Sequence, residues 1–310
     1  MRTNTTPLPA ENEDKTGKGI AAALDHDHHK KKKKHHKHHG GRHHLSREDI
    51  WVTSKLWNAH HRPEEATKAI EKSISDLGVD YLDLYLMHWP VAFLPDQDGD
   101  KLDETVSIVD TWRAMENLVR ANLTRFIGVS NFARHEVDQI LSVCVICPYA
   151  HEFETHPYLQ QQEFVDYHFE RGIKVIAYSP LGNTNPTYDD TTRDKDVGKL
   201  LEDPFWKGLA GKKGVTVAQA VLAWGAQRGT VVIPKSVREE HIDENRKGVV
   251  GGKKAVEFTK EEMEEISKRD KKVRMNNPGE SWGVPLFSDL DDPTKLDGGD
   301  DEGEEVVGDL

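Results

Sequence analysis

Residues 50–57, IWVTSKLW, and residues 81–90, YLDLYLMHWP, decide the fold. Each is a short run of β-forming residues that ends in a polar side chain, Lys55 in one and His88 in the other. In a parallel barrel, catalytic side chains stand at the carboxyl ends of the strands. A lysine and a histidine presented together at such a rim point to carbonyl reduction, where an oxygen must be oriented and protonated.

Working outward, the same texture repeats. Strands are expected at 50–55, 82–87, 126–130, 150–154, 174–178 and 231–234, with amphipathic helices between them. One helix opens on Pro63-Glu64-Glu65 and stops at Gly78, with Ala66, Ala69, Ile70, Ile74 and Leu77 on one face. Others are expected at about 105–121, 134–142, 159–171, 216–228 and 239–247, and a last one starts near Thr259. Six alternating βα units make a parallel sheet, either an open doubly wound one or an incomplete barrel. No G-x-G-x-x-G follows the first strand, which weakens the doubly wound dinucleotide-binding alternative.

The ends of the chain are polar. The sequence divides into a segment 1–24 containing the helix-like GKGIAAAL, a His/Lys-rich low-complexity insert 25–45, an apolar-rich barrel region 46–288 and an acidic tail 289–310. The insert is expected to be solvated, with metal or polyanion binding as its functional alternative. It is placed on the amino-terminal face of the barrel, away from the rim, and no metal site is expected in the barrel itself. The net charge of −12 argues against nucleic acid as a partner. No apolar run reaches the ~18 residues of a membrane span. Cys144 and Cys147 have C-x-x-C spacing in the apolar stretch VCVICP, and are expected to be two ordinary buried thiols in a reducing, cytoplasmic setting.

The blocks REDIWVTSKLW, DYLDLYLMHWP, TWRAMENLV, RFIGVSNF, HPYLQQ, IAYSPLG and VIPKSV occur in this order. Over residues 46–290 the sequence resembles the aldo-keto reductase family, particularly fungal members of the aldose-reductase and glycerol-dehydrogenase type. The resemblance implies an α/β fold, a (β/α)8 TIM barrel, with NADP(H) on its carboxyl face. It implies a monomer that reduces small aldehydes or ketones, or oxidises polyols such as glycerol. Lys55 and His88 match the catalytic lysine and histidine. Ser130 and Asn131 match the pair at the nicotinamide carboxamide, and Tyr178 the ring that stacks on the nicotinamide. Ser179, Leu181 and Gly182 match the pyrophosphate loop. Lys235, Ser236 and Val237 match the 2′-phosphate site, and Glu244 and Asn245 the adenine site. Trp57 and Trp89 are expected to line a substrate pocket, with Trp51 a third candidate.

The sequence also departs from the family pattern. An Asn-Glu pair, here Asn12-Glu13, normally follows the family's acid tyrosine and its aspartate; counting back places Ala10 and Thr5 at those positions. The barrel is therefore expected to lack its first two strands, as after a truncation or a misplaced start. Lys55 should then be unpaired, the acid should be His88 or another residue recruited from the changed N-terminus, and the rate should fall by about 10²–10⁴. His151-Glu152 stands where the family has Asn-Gln, so Glu152 would meet the carboxamide without an amide donor. His241 stands where an arginine usually holds the 2′-phosphate. The alternatives to an enzyme are a non-catalytic NADP(H)-binding protein and a fragment of a longer reductase.

Overall fold

A computed structural model describes residues 12–32, 45–95, 101–182, 197–249 and 256–291. Six strands form one sheet: β1 (Thr53–Leu56), β2 (Leu82–Met87), β3 (Thr124–Ser130), β4 (Ala150–Glu154), β5 (Lys174–Tyr178) and β6 (Val231–Val232). All neighbours are parallel and the spatial order is the sequence order. Sequential order with a helix in each crossover is the arrangement of a (β/α)8 barrel, whereas a doubly wound sheet reverses direction at a switch point. Among the described residues, β1 pairs only with β2 and β6 only with β5.

Strand alternation divides the side chains between two faces. Leu56, Tyr85, Met87, Ile127, Val129, Phe153 and Val175 join the main core. Against them pack helices α2 (Pro63–Leu77), α3 (Ile108–Arg120), α4 (Arg134–Leu141) and α5 (Gln162–Glu170), through Ile70, Trp112, Ile140 and Val165. The opposite face carries a smaller cluster of Leu84, Leu86, Ala150 and Ile176, with Phe126 and Tyr149. Gly128 makes this inner layer possible. A Cβ there would lie 2.2 Å from the Ala150 carbonyl oxygen and 2.8 Å from Leu86 Cδ2.

Helix α2 has the boundaries its sequence signals: Pro63 in its first turn and Gly78 just beyond its end at φ +63°. Strand β6 is two residues long rather than the four expected. A helix not expected from the sequence, α6 (Pro204–Lys213), precedes α7 (Val217–Gln227). It is capped by the Asp203 side chain on the Phe205 amide and closed by Gly214 at φ +67°. After β6 come α8 (Glu239–Val249), α9 (Lys260–Ser267) and α10 (Gly279–Trp282).

The amino-terminal helix α1 (Glu13–Lys32) is longer than the expected GKGIAAAL and enters the His/Lys-rich tract. It packs on α2, where a Cβ on Gly17 would meet the Asp76 carbonyl oxygen at 2.6 Å. The rest of the insert, the Thr5 and Ala10 positions and most of the acidic tail lie outside the described residues.

The cysteine expectation is overturned. Cys144 is half-buried, Cys147 is exposed, and a disulfide joins them. The turn after α4 brings their Cα atoms to 5.1 Å, inside the range a disulfide spans. The buried carboxylate of Glu116 holds this turn by accepting from the Val145 and Ile146 amides at 2.7 and 3.0 Å. Apolar letters misled here, because Val145 is 78% exposed. Cysteine usage therefore does not support the reducing setting. Among the described residues, no helix is long and apolar enough to cross a membrane.

Candidate active site

The carboxyl ends of β1 to β5 lie level with one another. Lys55 registers with Leu86, Ser130 with Glu152, and Glu154 with Tyr178. His88 stands one residue past β2, where its amide donates to the Leu56 carbonyl at 3.0 Å. Asn131, one residue past β3, ties four strand ends together. Its amide nitrogen Nδ2 donates to the His88 carbonyl (3.0 Å) and to Ser130 Oγ (3.1 Å). Its Oδ1 accepts from the Tyr178 hydroxyl at 2.7 Å, and its backbone N–H donates to the Glu152 carbonyl at 3.0 Å. Asn131 and Ser179 hold left-handed φ angles of +61° and +46°. Such conformations are costly for non-glycine residues and cluster at functional sites. We expect Asn131→Ala, which removes three side-chain bonds at once, to lower stability by about 1–3 kcal/mol in urea melts.

Across this rim Lys55 Nζ lies 3.1 Å from Glu152 Oε1, with the lysine side chain 27% and the glutamate 6% exposed. This corrects the expectation of an unpaired lysine. The carboxylate reaches it from β4, three strands away, and comes from the residue expected to face the carboxamide.

The Aldo/keto reductase family matches residues 35–271. The chain belongs to the aldo/keto reductase family. An uncharacterised oxidoreductase of Schizosaccharomyces pombe is 42% identical over 257 residues, 80% of this chain and 76% of its own. The NADPH-dependent D-xylose reductase of Meyerozyma guilliermondii is 37% identical over 289 residues, 89% of this chain and 84% of its own. Among solved structures, a Bombyx mori aldo-keto reductase in complex with NADP superposes with a TM-score of 0.74 at 29% identity, covering 89% of this chain and 81% of that one. The described sheet is therefore a six-strand arc of an aldo/keto reductase barrel.

At this rim, His88 does not behave as the acid expected of it. Burial first, then the Lys55 charge and His61, drive its imidazole down to about 3. At neutral pH it is an uncharged ring that can donate a hydrogen bond but holds no ready proton. His151, expected from sequence to stand at the family's asparagine position, points away from the rim into the core. There its Nδ1 lies 2.7 Å from His168 Nε2.

Trp57 and Trp89 do meet near His88. Trp57 sits edge-on to the histidine ring at 5.3 Å, and Trp89 edge-on to Trp282 at 5.1 Å. Phe93, Trp282 and Phe287 complete this cluster, and none of the three was expected from sequence. They come from a loop after β2 and from the carboxyl-terminal segment, where no periodicity marks them. Trp51 does not belong to it. It stacks instead on Phe126 and Tyr149 at the amino-terminal end of the strands, half-exposed.

The outer cofactor candidates follow β5 and β6. Ser179, Leu181 and Gly182 form a tight turn in which the Gly182 amide donates to the Ser179 carbonyl at 2.8 Å. Gly182 has φ +66°, and a Cβ there would lie 3.1 Å from Leu200 Cβ. Past β6, Lys235, Val237 and His241 are exposed, and the Arg238 amide donates to Ser236 Oγ at 3.1 Å. Arg238, an exposed cation three residues after Lys235, was not expected from sequence. On α8, Asn245 is buried and the Glu244 carbonyl accepts from Gln219 Nε2 at 3.1 Å.

Proposed function

We propose that this chain is an NADP(H)-dependent reductase of small aldehydes and ketones that also runs in reverse on polyols. The observation that carries this reading is the shared rim: Lys55, His88, Ser130, Asn131, Glu152 and Tyr178 converge at the carboxyl ends of β1 to β5. The residues suit the cofactor chemically. Ser130 and Asn131 offer a hydroxyl and an amide to a carboxamide, while Glu152 lacks the amide donor and pairs with Lys55 instead. The half-buried Tyr178 ring offers a flat face for a nicotinamide, and Lys235 with Arg238 offers positive charge to a 2′-phosphate. When bound, the nicotinamide supplies the hydride. The chain's own residues orient the carbonyl through the neutral His88 ring, exclude water with Trp57 and Trp89, and hold a proton at Lys55. The D-xylose reductase relative favours sugars and other polyhydroxy carbonyls as substrates.

Titrating purified protein into NADPH, with NADH as control, should give saturable fluorescence enhancement and a preference for NADPH. Glyceraldehyde or xylose should then drive loss of absorbance at the nicotinamide band. Binding without turnover would favour a non-catalytic NADP(H)-binding protein, and absence of binding by folded protein would refute the cofactor assignment.

A further inference from the structure

We infer that Lys55 is itself the proton donor to the carbonyl oxygen in this chain, and that Glu152 is the carboxylate that positions it. This rests on the reductase reading above. Three observations lead to it. First, the described rim offers few protons to give: the Tyr178 hydroxyl is donated to Asn131, and His88 is a half-buried ring held neutral. Second, Lys55 carries three N–H donors and uses one direction for Glu152 at 3.1 Å. Third, the pair spans the mouth of the barrel from β1 to β4, while the 27% exposure of the lysine side chain keeps the ammonium in reach of substrate and water.

The step balances. The carbonyl carbon gains the hydride as its π bond to oxygen breaks, and the oxygen gains the proton from Lys55 Nζ. This leaves an alcohol, oxidised cofactor and a neutral amine. The amine then takes a proton back from water. Glu152 takes no part in the transfer itself. Without it, the ammonium on β1 would have to hold its position by its flexible four-carbon stem alone. Glu152 is thus a positioning residue, and Lys55 the catalytic one.

Substitution separates the roles. Lys55→Arg keeps the positive charge and can still pair with Glu152, but a guanidinium does not release a proton. NADPH affinity, read by fluorescence, should stay within about 3-fold of wild type, while kcat falls at least about 100-fold. Glu152→Gln should lower kcat about 10-fold, with Glu152→Asp restoring most of it. Independently of turnover, acetylation of Lys55 by acetic anhydride, followed by mass spectrometry, should rise several-fold in Glu152→Gln. Turnover by Lys55→Arg close to wild type would overturn the donor role while leaving the reductase reading intact. Equal Lys55 acetylation in wild type and Glu152→Gln would overturn the role of Glu152. NADPH binding by the wild-type chain without any turnover would overturn both the donor role and the reductase reading.

Discussion

Replacing Asp83 by alanine is expected to cost the fold about 3–5 kcal/mol, a large share of the ~5–15 kcal/mol margin of an ordinary domain. Asp83 is 2% exposed and sits inside the otherwise apolar run of β2. One carboxylate oxygen accepts from Arg47 Nη2 and from the Val52 amide, each at 2.9 Å, and the other accepts from Arg125 Nη1 at 2.9 Å. The carboxylate therefore fastens the approach to β1, the body of β2 and the start of β3. Alanine leaves the Arg47 guanidinium, whose side chain is 12% exposed, without its counter-charge, and leaves the Val52 amide without its acceptor. Arg125 is half-exposed and can turn to water, so its share of the loss is small. Asp83→Asn keeps an acceptor for Val52 and should lose roughly half as much. Because β1 pairs only with β2 among the described residues, its amides should show the largest gain in hydrogen exchange. Lys55 rides on that strand, so NADPH turnover should fall together with stability. A urea midpoint shift worth less than about 1 kcal/mol would show that the triad is not what holds β1.

Asp83 also marks how far a sequence can be read. The strands and most helices of the arc were legible because their signals are local. Pro63 and Gly78 bracket α2, and Lys55 and His88 follow apolar runs at strand ends. What was not legible depends on residues distant in sequence. The partner of Lys55 lies 97 positions away on β4, and a glutamate in AHEFE carries no mark of the lysine it will meet. Asp83 reads as an interruption in LDLYLM until the two arginines fold against it. The disulfide was missed for a different reason: VCVICP looks like core, but Glu116 holds it as an exposed turn. Helix α6 could have been found, because Asp203-Pro204 and Gly214 are ordinary start and stop signals. Its body, FWKGLAGKK, has two glycines and little amphipathic pattern to support them.

Acid should unfold this protein at unusually mild pH, because four histidines, three of them buried and His88 half-buried, are held without their charge. Burial drives His61 and His88 down to about 3 and His168 to about 4, and pushes His151 well below its ordinary range. The His151–His168 pair shows why. The Phe132 amide donates to His151 Nε2, so the His151 proton sits on Nδ1 and is donated to His168 Nε2, whose own Nδ1 donates to the Phe164 carbonyl. Every ring nitrogen is committed, and a proton added to either ring would set two N–H groups against each other. These groups therefore contribute stability that is complete above their unfolded value of about 6.5 and is lost as pH falls toward their folded values. Glu136 opposes them. Burial, reinforced by Asp289, raises its carboxyl to about 7, so the folded state takes up that proton before the unfolded state does. Between pH 6 and 5 unfolding should thus bind about three more protons than the native state holds, a slope of roughly 4 kcal/mol per pH unit. Urea midpoints should fall steeply from pH 7.5 to 5.5. Glu136→Gln should steepen the fall by removing the opposing group, and His168→Gln should make it shallower by about one proton. A midpoint that does not move over this interval would mean the four rings are not held neutral. Phe132 and His151 adjoin Asn131 and Glu152 in the chain, so the acid transition should abolish NADPH binding over the same pH interval as the loss of structure.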